Sequence, residues 1–342
     1  MSGFDAVLVV GFGGPEAADE VPGFLQHVSG GHIPAARLAE VSRHYDHFGG
    51  SSPANAQNRM LAEAIARRLA KRGLPVPVAL AHRHSAPFIT DVLAQLAGQG
   101  HRRVLTVISS PYASYASCRA YREELFAALP RDEQGHSRLQ VANLTPFADL
   151  PALADAEAQL LQAELARHPD AHLVFTTHSI PTAMARASGP TGEAYVTQHQ
   201  QLIGEVLARL AQAGYTPCWR LAYQSRSGSP ETPWLEPDIN QLLNQLAADG
   251  VSQVICCPMG FLSDHMEVAW DLDVQAADTA RRLGMDFIRV PTAGEQPVFL
   301  DGLSDRIAAT LRRPVQASPD GWCVGECCVL DPPKPVVEGV SP

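Results

Sequence analysis

Two acid–base side chains stand out in the second half of the chain, each behind an apolar run. His178 lies in Thr-His-Ser-Ile-Pro, after a run at 173–175, and Glu267 ends Ser-Asp-His-Met-Glu, after a run at 254–262. A lone histidine in a loop usually does no more than satisfy hydrogen bonds. An imidazole that titrates near neutral pH, accompanied by a carboxylate, can instead take up protons or bind a metal ion. The two residues therefore indicate proton-transfer or metal chemistry.

The helix predicted over 265–283 carries a row of polar side chains. Glu267, Asp271 and Gln275 recur at i, i+4 and i+8, which places them on one helical face. Two acids at this spacing repel each other and are normally exposed, unless a cation is expected between or beyond them. The face therefore predicts a path for a divalent metal ion or for departing protons.

Seven cysteines are an odd number spread over 342 residues, which does not suit the disulfide framework of a secreted protein. Cys323, Cys327 and Cys328 fall within six positions near the C-terminus. Three thiols this close in a cytoplasmic protein usually bind metal, and a complete site needs a fourth ligand. Four thiolates suit either an iron–sulfur cluster or a structural zinc ion.

The composition is globular, with 46% hydrophobic and 18% charged residues. The length indicates two ordinary domains, or one large α/β domain. A net charge of −10 without a basic block argues against nucleic-acid binding. The apolar runs are far shorter than the roughly 20 residues of a membrane span, and the first one fits a buried strand better than a signal peptide. We therefore predict a cytoplasmic protein without a transmembrane segment.

Short apolar runs alternate with amphipathic segments, which predicts parallel sheets with helical crossovers. The predicted strands are 5–10, 76–81, 103–109, 139–144, 172–177, 218–224, 252–257 and 286–290. The predicted helices are 34–46, 55–72, 87–98, 119–129, 150–167, 192–213, 238–248, 265–283 and 298–312.

Four strands precede residue 150 and four follow it, which predicts an N-terminal half at 1–149, a C-terminal half at 150–312 and a proline-rich, cysteine-containing tail at 313–342. A weak internal repeat supports the two halves, since His-Ser-Ala-Pro at 84–87 resembles His-Ser-Ile-Pro at 178–181. Ligands of parallel sheets bind beyond the carboxyl ends of the strands. One cleft between the halves would collect the polar residues found there.

Several segments together resemble the ferrochelatases, which insert ferrous iron into a porphyrin. They follow the order of that family between residue 5 and about 312, and the set is far more specific than any one member. The segments are Phe-Gly-Gly-Pro-Glu at 12–16, His-Tyr-Asp-His-Phe-Gly-Gly-Ser-Ser-Pro at 44–53, Arg-His-Ser at 83–85, 177–181, Tyr-Gln-Ser-Arg at 223–226 with Pro-Trp-Leu at 233–235, and 260–267.

The resemblance implies a chelatase fold of two similar Rossmann-like halves, each a four-stranded parallel sheet flanked by helices, around a porphyrin cleft. It implies that His178 faces the macrocycle from one side and that Glu267 lies opposite, with both serving catalysis and handling the substrate iron. Asp271 would lie farther along the iron or proton path. An imidazole can take the pyrrole protons or bind the iron, while the carboxylate does the complementary task. Which of them handles the metal is left open.

The same resemblance implies contacts for the porphyrin. Ser52 and Tyr121 would hydrogen-bond propionates, and Phe12 and Tyr223 would form walls of the cleft, with ordinary packing as the alternative for each. Phe12 departs from relatives that carry an iron-binding tyrosine there. Gln275 stands where many relatives have a third acid, which puts an outer metal site in doubt.

Ferrochelatases of actinobacteria and of animals hold a two-iron two-sulfur cluster with one cysteine near the third strand and three at the C-terminus. The resemblance therefore assigns Cys118, Cys323, Cys327 and Cys328 as its ligands. The tail spacing is tighter than in the animal enzymes, so a structural zinc ion or no site are the alternatives. The cluster would tie the tail to the N-terminal half, outside the cleft, in a structural or regulatory role.

Segments 12–15 and 44–53 are most similar to the actinobacterial enzymes, which act on coproporphyrin III. The expected reaction is therefore insertion of ferrous iron into coproporphyrin III to give coproheme, with protoporphyrin IX as the alternative substrate. A sirohydrochlorin or cobalt chelatase is a second enzyme hypothesis, and a porphyrin or haem carrier, or an iron-responsive sensor, is a non-enzymatic one. Peripheral membrane contact through 21–33 and a downstream haem-pathway enzyme as partner are left open.

Overall fold

The computed structural model of the protein describes residues 3–32, 34–227, 231–313 and 327–329. Eight strands form two four-stranded sheets, with orders β2-β1-β3-β4 and β6-β5-β7-β8. The strands are β1 Ala6–Gly11, β2 Val78–His82, β3 Arg103–Ile108, β4 Gln140–Asn143, β5 His172–His178, β6 Trp219–Gln224, β7 Gln253–Cys257 and β8 Asp286–Arg289.

Every strand pair within the two sheets is parallel. The central strands β1 and β5 are buried on both faces, which explains why they read as unbroken apolar runs rather than as alternating patterns. The second sheet repeats the strand order of the first, with β5 in the place of β1. The predicted fold of two similar α/β halves is confirmed.

Helices cover both faces of each sheet. They are α1 Val21–Val28, α2 Ala35–His47, α3 Ala54–Lys71, α4 Ile89–Gly98, α5 Ala120–Ala127, α6 Pro151–Leu165, α7 Thr182–Arg186, α8 Ala194–Gln212, α9 Ile239–Ala248, α10 Met266–Val268, α11 Ala277–Arg282 and α12 Pro297–Leu311. The helix expected over 265–283 is α10 and α11 joined by a π-helical segment, Ala269–Ala276. Helices α1 and α7 were not predicted. Of the helices described, none is long and apolar enough to cross a membrane.

The largest apolar cluster lies between the two sheets and draws on both halves. It combines β1 and β3 of the first sheet with β5 of the second, and α3 with α6, α8 and α12. Salt bridges from Arg68 to Asp301 and from Arg72 to Asp305, of 2.7 and 2.6 Å, join α3 to α12 at its rim. Smaller clusters pack α4 and α5 on the outer face of the first sheet and α9 on that of the second. The halves therefore meet across a shared core, and the boundary at residue 149 stays a prediction.

Candidate active site

The structure brings His178 and Glu267 into direct contact. His178 is the last residue of β5, Glu267 lies in α10, and the distance from His178 Nε2 to Glu267 Oε2 is 3.5 Å. A flat ring cannot pass between two atoms this close. The expectation that the two side chains face each other from opposite sides of the macrocycle is therefore wrong, because they lie side by side on one wall.

The hydrogen bonds of His178 define its reactive nitrogen. Its Nδ1 contacts the carbonyl oxygen of Ser179, which accepts a hydrogen bond, so Nδ1 carries a proton and Nε2 is the nitrogen that gains or loses one. Burial lowers the pKa of His178, but the hydrogen bond and charge of Glu267 outweigh it and leave that pKa above its usual value. Burial acts to raise the pKa of Glu267, whereas the hydrogen bond and charge of His178 lower it to about 2. The contact therefore favours an imidazolium beside a carboxylate.

A second carboxyl group lies one turn farther along. Asp271 belongs to the π-helical segment and accepts a hydrogen bond from the hydroxyl of Ser225, which has a φ of 61° in the loop after β6. Burial raises the pKa of Asp271 to about 6, against the opposing effect of the Ser225 hydrogen bond. Asp271 is therefore able to exchange a proton near neutral pH, as the row of acids on this face suggested.

One arginine fixes the segment that carries both acids. Arg289, at the end of β8, donates to Asp264 at 2.6 Å and to Asp273 at 2.8 Å, one residue before and one after the stretch 265–272. A guanidinium can hold two carboxylates at once because its donors form a rigid fork. Sequence reasoning missed Arg289, which lies 25 residues along the chain from Asp264, and it included Ser225 only within the segment 223–226, without a role.

The N-terminal half contributes an aromatic wall. Phe12, directly after β1, is 44% exposed, and its ring centroid lies 4.5 Å from that of His84 and 6.4 Å from that of Phe24. Burial, with the charge of Arg83, lowers the pKa of His84 to about 4, so this imidazole is neutral. Phe12 therefore lies at an exposed edge of this half, as the prediction of a cleft wall requires.

Side chains from α1 and α2 connect the two walls. Phe24 contacts Tyr45 at a ring distance of 6.3 Å, and both pack with Met266, the neighbour of Glu267. Trp270, on the π-helical segment, stacks on His44 of α2 at 3.9 Å with an interplanar angle of 13°. The first half therefore contacts the segment that bears the acids.

A cavity of about 740 Å³ opens on the N-terminal side of this wall. Neither His178 nor Glu267 lines it, so it does not contain the acid–base pair. Its lining is Gly14, Pro15, Glu16, Glu20, Gly23, Phe24, His27, Asn55, Arg59, His84, Ser85, Ala86, Pro87 and Phe88.

The remaining predicted contacts differ in their surroundings. Tyr223, in β6, pairs in register with Thr177, next to His178. Ser52 is buried beneath Gly14, with its amide bonded to Pro15. Tyr121 is 5% exposed in the core beneath the first sheet, with the Arg83 guanidinium 4.8 Å from its ring centre. The structure thus places Tyr223 opposite Thr177, the residue before His178, Ser52 below the β1 loop, and Tyr121 in the core of the first half.

Three of the four predicted cysteine ligands fall within the described residues. Cys327 and Cys328 are buried against Ala113 and Ala194, with their sulfur atoms 3.4 Å apart. Arg119, next to the buried Cys118, donates to the carbonyl oxygen of Cys327 at 2.9 Å. The tail cysteines therefore pack beside the Cys118 region.

Cys323 lies outside the described residues. Within the residues that are described, no three histidine, cysteine, aspartate or glutamate side chains are grouped closely enough to hold a metal ion.

Solved structures with this fold define a class. The chain superimposes on CbiX, the terminal enzyme for biosynthesis of siroheme in denitrifying bacteria, with a TM-score of 0.52 at 14% identity, covering 89% of this chain and 98% of that one. It superimposes on the sirohydrochlorin chelatase SirB from Bacillus subtilis subspecies spizizenii with a TM-score of 0.53 at 11% identity, covering 90% and 96%. The fold is that of the chelatases.

Residues 4–311 match the family described as Ferrochelatase. The coproporphyrin III ferrochelatase of Propionibacterium freudenreichii is 59% identical over 333 residues, which cover 96% of this chain and 95% of that protein. The coproporphyrin III ferrochelatase of Streptomyces griseus is 42% identical and covers 99% and 96%. The chain belongs to the ferrochelatase family, and that prediction is confirmed.

Proposed function

We propose that this protein inserts ferrous iron into coproporphyrin III to form coproheme. The observation that carries the proposal is the His178–Glu267 pair, 3.5 Å apart at the carboxyl edge of the second sheet. Relatives that match nearly the whole chain, at up to 59% identity, are named for this substrate. Iron insertion requires a base for two pyrrole protons and a route for a divalent cation, and the wall offers an imidazole followed by two carboxyl groups.

His178 is the proposed proton acceptor. Its Nδ1–H is held by the carbonyl of Ser179, so Nε2 receives the pyrrole proton once it is unprotonated. Glu267 stabilises the imidazolium that results, because an opposite charge at 3.5 Å favours the protonated form. The two protons leave one at a time, since a single imidazole accepts one proton before it must release it.

Asp271 is the proposed next group on the path. Its pKa of about 6 lies between the low value of Glu267 and the raised value of His178, so it can accept and release a proton near neutral pH. The same two carboxylates attract ferrous iron, a cation with affinity for carboxylate and imidazole ligands. The protons would leave, and the iron would arrive, along the face of α10 and the π-helical segment that carries Glu267 and Asp271.

Turnover on two porphyrins tests the substrate. Coproporphyrin III carries four propionates where protoporphyrin IX carries two propionates and two vinyl groups, so it favours a cleft that water can reach. Solvent reaches 58% of the Glu267 side chain and 44% of Phe12. We expect kcat/KM for ferrous iron insertion to be at least about tenfold higher with coproporphyrin III, a difference of about 1.4 kcal/mol in transition-state binding. A preference for protoporphyrin IX would refute the proposed substrate.

Two features of the described cysteines support a thiolate-bound cluster as part of the proposal. Cys118, Cys327 and Cys328 are all buried, and the amide of Gly189 donates to the sulfur of Cys328 at 3.1 Å. Amide donors to cysteine sulfur are one of the ways proteins stabilise iron–sulfur clusters. With Cys323 as fourth ligand, these residues would hold a two-iron two-sulfur cluster. A cluster bound there supplies a link between the tail and both halves, and four thiolates would equally bind zinc.

Optical spectra and metal analysis of the purified protein test the cluster. Protein prepared under low oxygen should be coloured, with visible absorption that disappears in Cys323→Ser and persists in the control Cys218→Ser, whose cysteine is exposed. Stoichiometric zinc in a colourless wild-type protein would contradict the cluster. The composition and the reduced cysteines of such a site agree with a cytoplasmic protein, which we retain as part of the proposal.

A further inference from the structure

A buried tyrosine supports the main chain of His178 from behind. Tyr195 lies in the first turn of α8 and is 5% exposed. Its hydroxyl donates to the carbonyl oxygen of His178 at 2.8 Å. Because a phenol has one proton to give, its contact with the hydroxyl of Thr177, at 2.9 Å, is one in which Thr177 donates.

The position of this hydroxyl follows from where the second sheet ends. Strand β5 pairs with β7 as far as Phe175, opposite Cys257, and the next carbonyl on that side, that of Thr176, accepts from the amide of Gly260 at 3.1 Å. Two residues on, β7 has ended and no longer lies beside the carbonyl of His178. Tyr195 supplies the donor that β7 no longer provides, so a side chain completes the sheet at the residue that carries the imidazole.

We propose that Tyr195 is a positioning residue for iron insertion, holding the end of β5 so that the His178 imidazole meets Glu267. This inference rests on the proposed function. The hydroxyl acts through the His178 main chain, because its two hydrogen bonds go to Thr177 and His178. If the imidazole is displaced by a fraction of an ångström, the site still binds porphyrin, but proton transfer to His178 becomes slower.

The same helix turn is tied to the tail. The amide of Tyr195 donates to the hydroxyl of Ser188 at 2.8 Å. Gly189 follows Ser188 in the chain, and its amide donates to the sulfur of Cys328. Ala194, at the start of α8, packs directly on Cys327 and Cys328. The main chain of Tyr195 is therefore linked through Ser188 and Gly189 to Cys328, while its side chain contacts His178.

Tyr195→Phe removes the hydroxyl and keeps the ring, which packs against His199 and Tyr112 at 4.6 and 6.1 Å. The matched control is Tyr112→Phe, because Tyr112 is also fully buried and donates to a main-chain carbonyl, that of Met259, at 2.8 Å. Tyr112→Phe loses one hydrogen bond to a main-chain carbonyl, whereas Tyr195→Phe loses two, and one of these reaches His178.

We expect Tyr195→Phe to lower kcat about tenfold and to leave KM for coproporphyrin III within about twofold, because the site still binds but is misaligned. In the substrate-free protein, the ¹⁵N resonances of the His178 imidazole should shift in Tyr195→Phe and stay unchanged in Tyr112→Phe. The melting temperature should fall in both variants, by at least as much in Tyr195→Phe as in Tyr112→Phe, because Tyr195 makes two hydrogen bonds and Tyr112 makes one. Equal losses of kcat in both variants, or an unchanged kcat in Tyr195→Phe, would overturn the positioning role.

Two further variants separate this inference from the proposals on which it depends. If the wild type inserts no iron, the proposed function fails, and if His178→Ala retains full turnover, the role of His178 as proton acceptor fails. If His178→Ala is inactive while Tyr195→Phe is fully active, the positioning role alone fails. Cys328→Ser tests whether the tail holds the first turn of α8, by hydrogen exchange of the substrate-free protein. Amides 194–198 should exchange faster in that variant, and unchanged exchange there would show that the tail does not hold this turn.

Discussion

Each sheet carries a histidine at its carboxyl edge, and the two imidazoles are in opposite states. His178 contacts Glu267, whose charge outweighs burial and raises the imidazole pKa. His84 lies among Phe12, His27 and Arg83, and burial lowers its pKa to about 4. Both side chains are partly shielded from solvent, so it is the neighbouring charge that decides which one is protonated.

The difference assigns separate tasks to the two walls. A wall with a charged pair and a second carboxyl group can move protons and attract iron, whereas an aromatic wall with a neutral imidazole can lie flat against a tetrapyrrole. A porphyrin ring needs both kinds of contact, because its faces are apolar while its centre must lose two protons. The predictions below test this division of tasks, starting with the largest effect.

Removal of the imidazole on the charged wall should have the largest effect. We expect His178→Ala to lower kcat for iron insertion by about 10²- to 10⁴-fold, the usual contribution of a general base, while coproporphyrin still binds. Turnover and a fluorescence titration with porphyrin measure the two quantities. His172→Ala is the matched control, since His172 lies at the other end of the same strand. A fully active His178→Ala would show that another group takes the protons.

Neutralising the carboxylate should move the pH dependence of His178. In Glu267→Gln, the Ser179 carbonyl and the charge of Asp271 are left to oppose burial without the larger effect of Glu267, so the His178 pKa should fall. The pH at which kcat/KM rises, as His178 loses its proton, should therefore move to lower pH, and an NMR titration of the imidazole should show the same direction. An unchanged titration would mean that Glu267 does not control His178.

Glu267→Gln should also alter the stability of the fold, in a direction that depends on pH. The raised His178 pKa stabilises the fold below pH 6.5 and loses that effect as the pH rises through the folded value. The lowered Glu267 pKa stabilises above pH 4.5 and loses that effect as the pH falls toward about 2. Wild type should exceed Glu267→Gln in stability mainly between these limits. Solvent screens a carboxylate that is 58% exposed, so the difference should be small.

Weakening the contacts of Arg289, which hold the segment that carries Glu267 and Asp271, should have a moderate effect. Arg289→Lys keeps the charge but cannot hold Asp264 and Asp273 with one rigid fork, so we expect kcat to fall about threefold and the free energy of unfolding to fall by about 1 kcal/mol. Turnover and urea denaturation measure both. The control Arg281→Lys alters an exposed ion pair with Asp278 and should change neither. Equal effects of the two substitutions would remove Arg289 from the support of the site.

The sequence predicted the strands to within about two residues because buried parallel strands are continuous apolar runs. It did not predict the π-helical segment, since acids spaced by four residues fit an ordinary α-helix equally well. It also could not tell whether His178 and Glu267 face each other or touch. That depends on the path of the loop after β7, which Arg289 holds through Asp264 from 25 residues farther along the chain.

The internal repeat shows how a short match can mislead. His-Ser-Ala-Pro at 84–87 follows β2, an edge strand, whereas His-Ser-Ile-Pro at 178–181 follows β5, an interior strand. The equivalent positions are Pro87 and Pro237, whose carbonyls accept the amides of His82 and Tyr223, at the ends of β2 and β6, at 2.8 and 2.9 Å. The halves are alike in fold, but their histidines occupy different places in it.

The smallest effect should come from replacing His84, the neutral imidazole of the aromatic wall. The buried Nδ1 of His84 has no hydrogen-bond partner within the described part of the chain, so His84→Phe removes a polar atom that contributes no bond and keeps a ring against Phe12. We expect kcat to stay within about threefold and the free energy of unfolding to change by less than about 1 kcal/mol. Turnover between pH 5 and 8 and urea denaturation measure both, with Phe88→Leu as a control on the same cavity lining. A loss of kcat above about tenfold confined to His84→Phe would mean that this imidazole binds iron or the ring nitrogens, and the two walls would then share the chemistry rather than divide it.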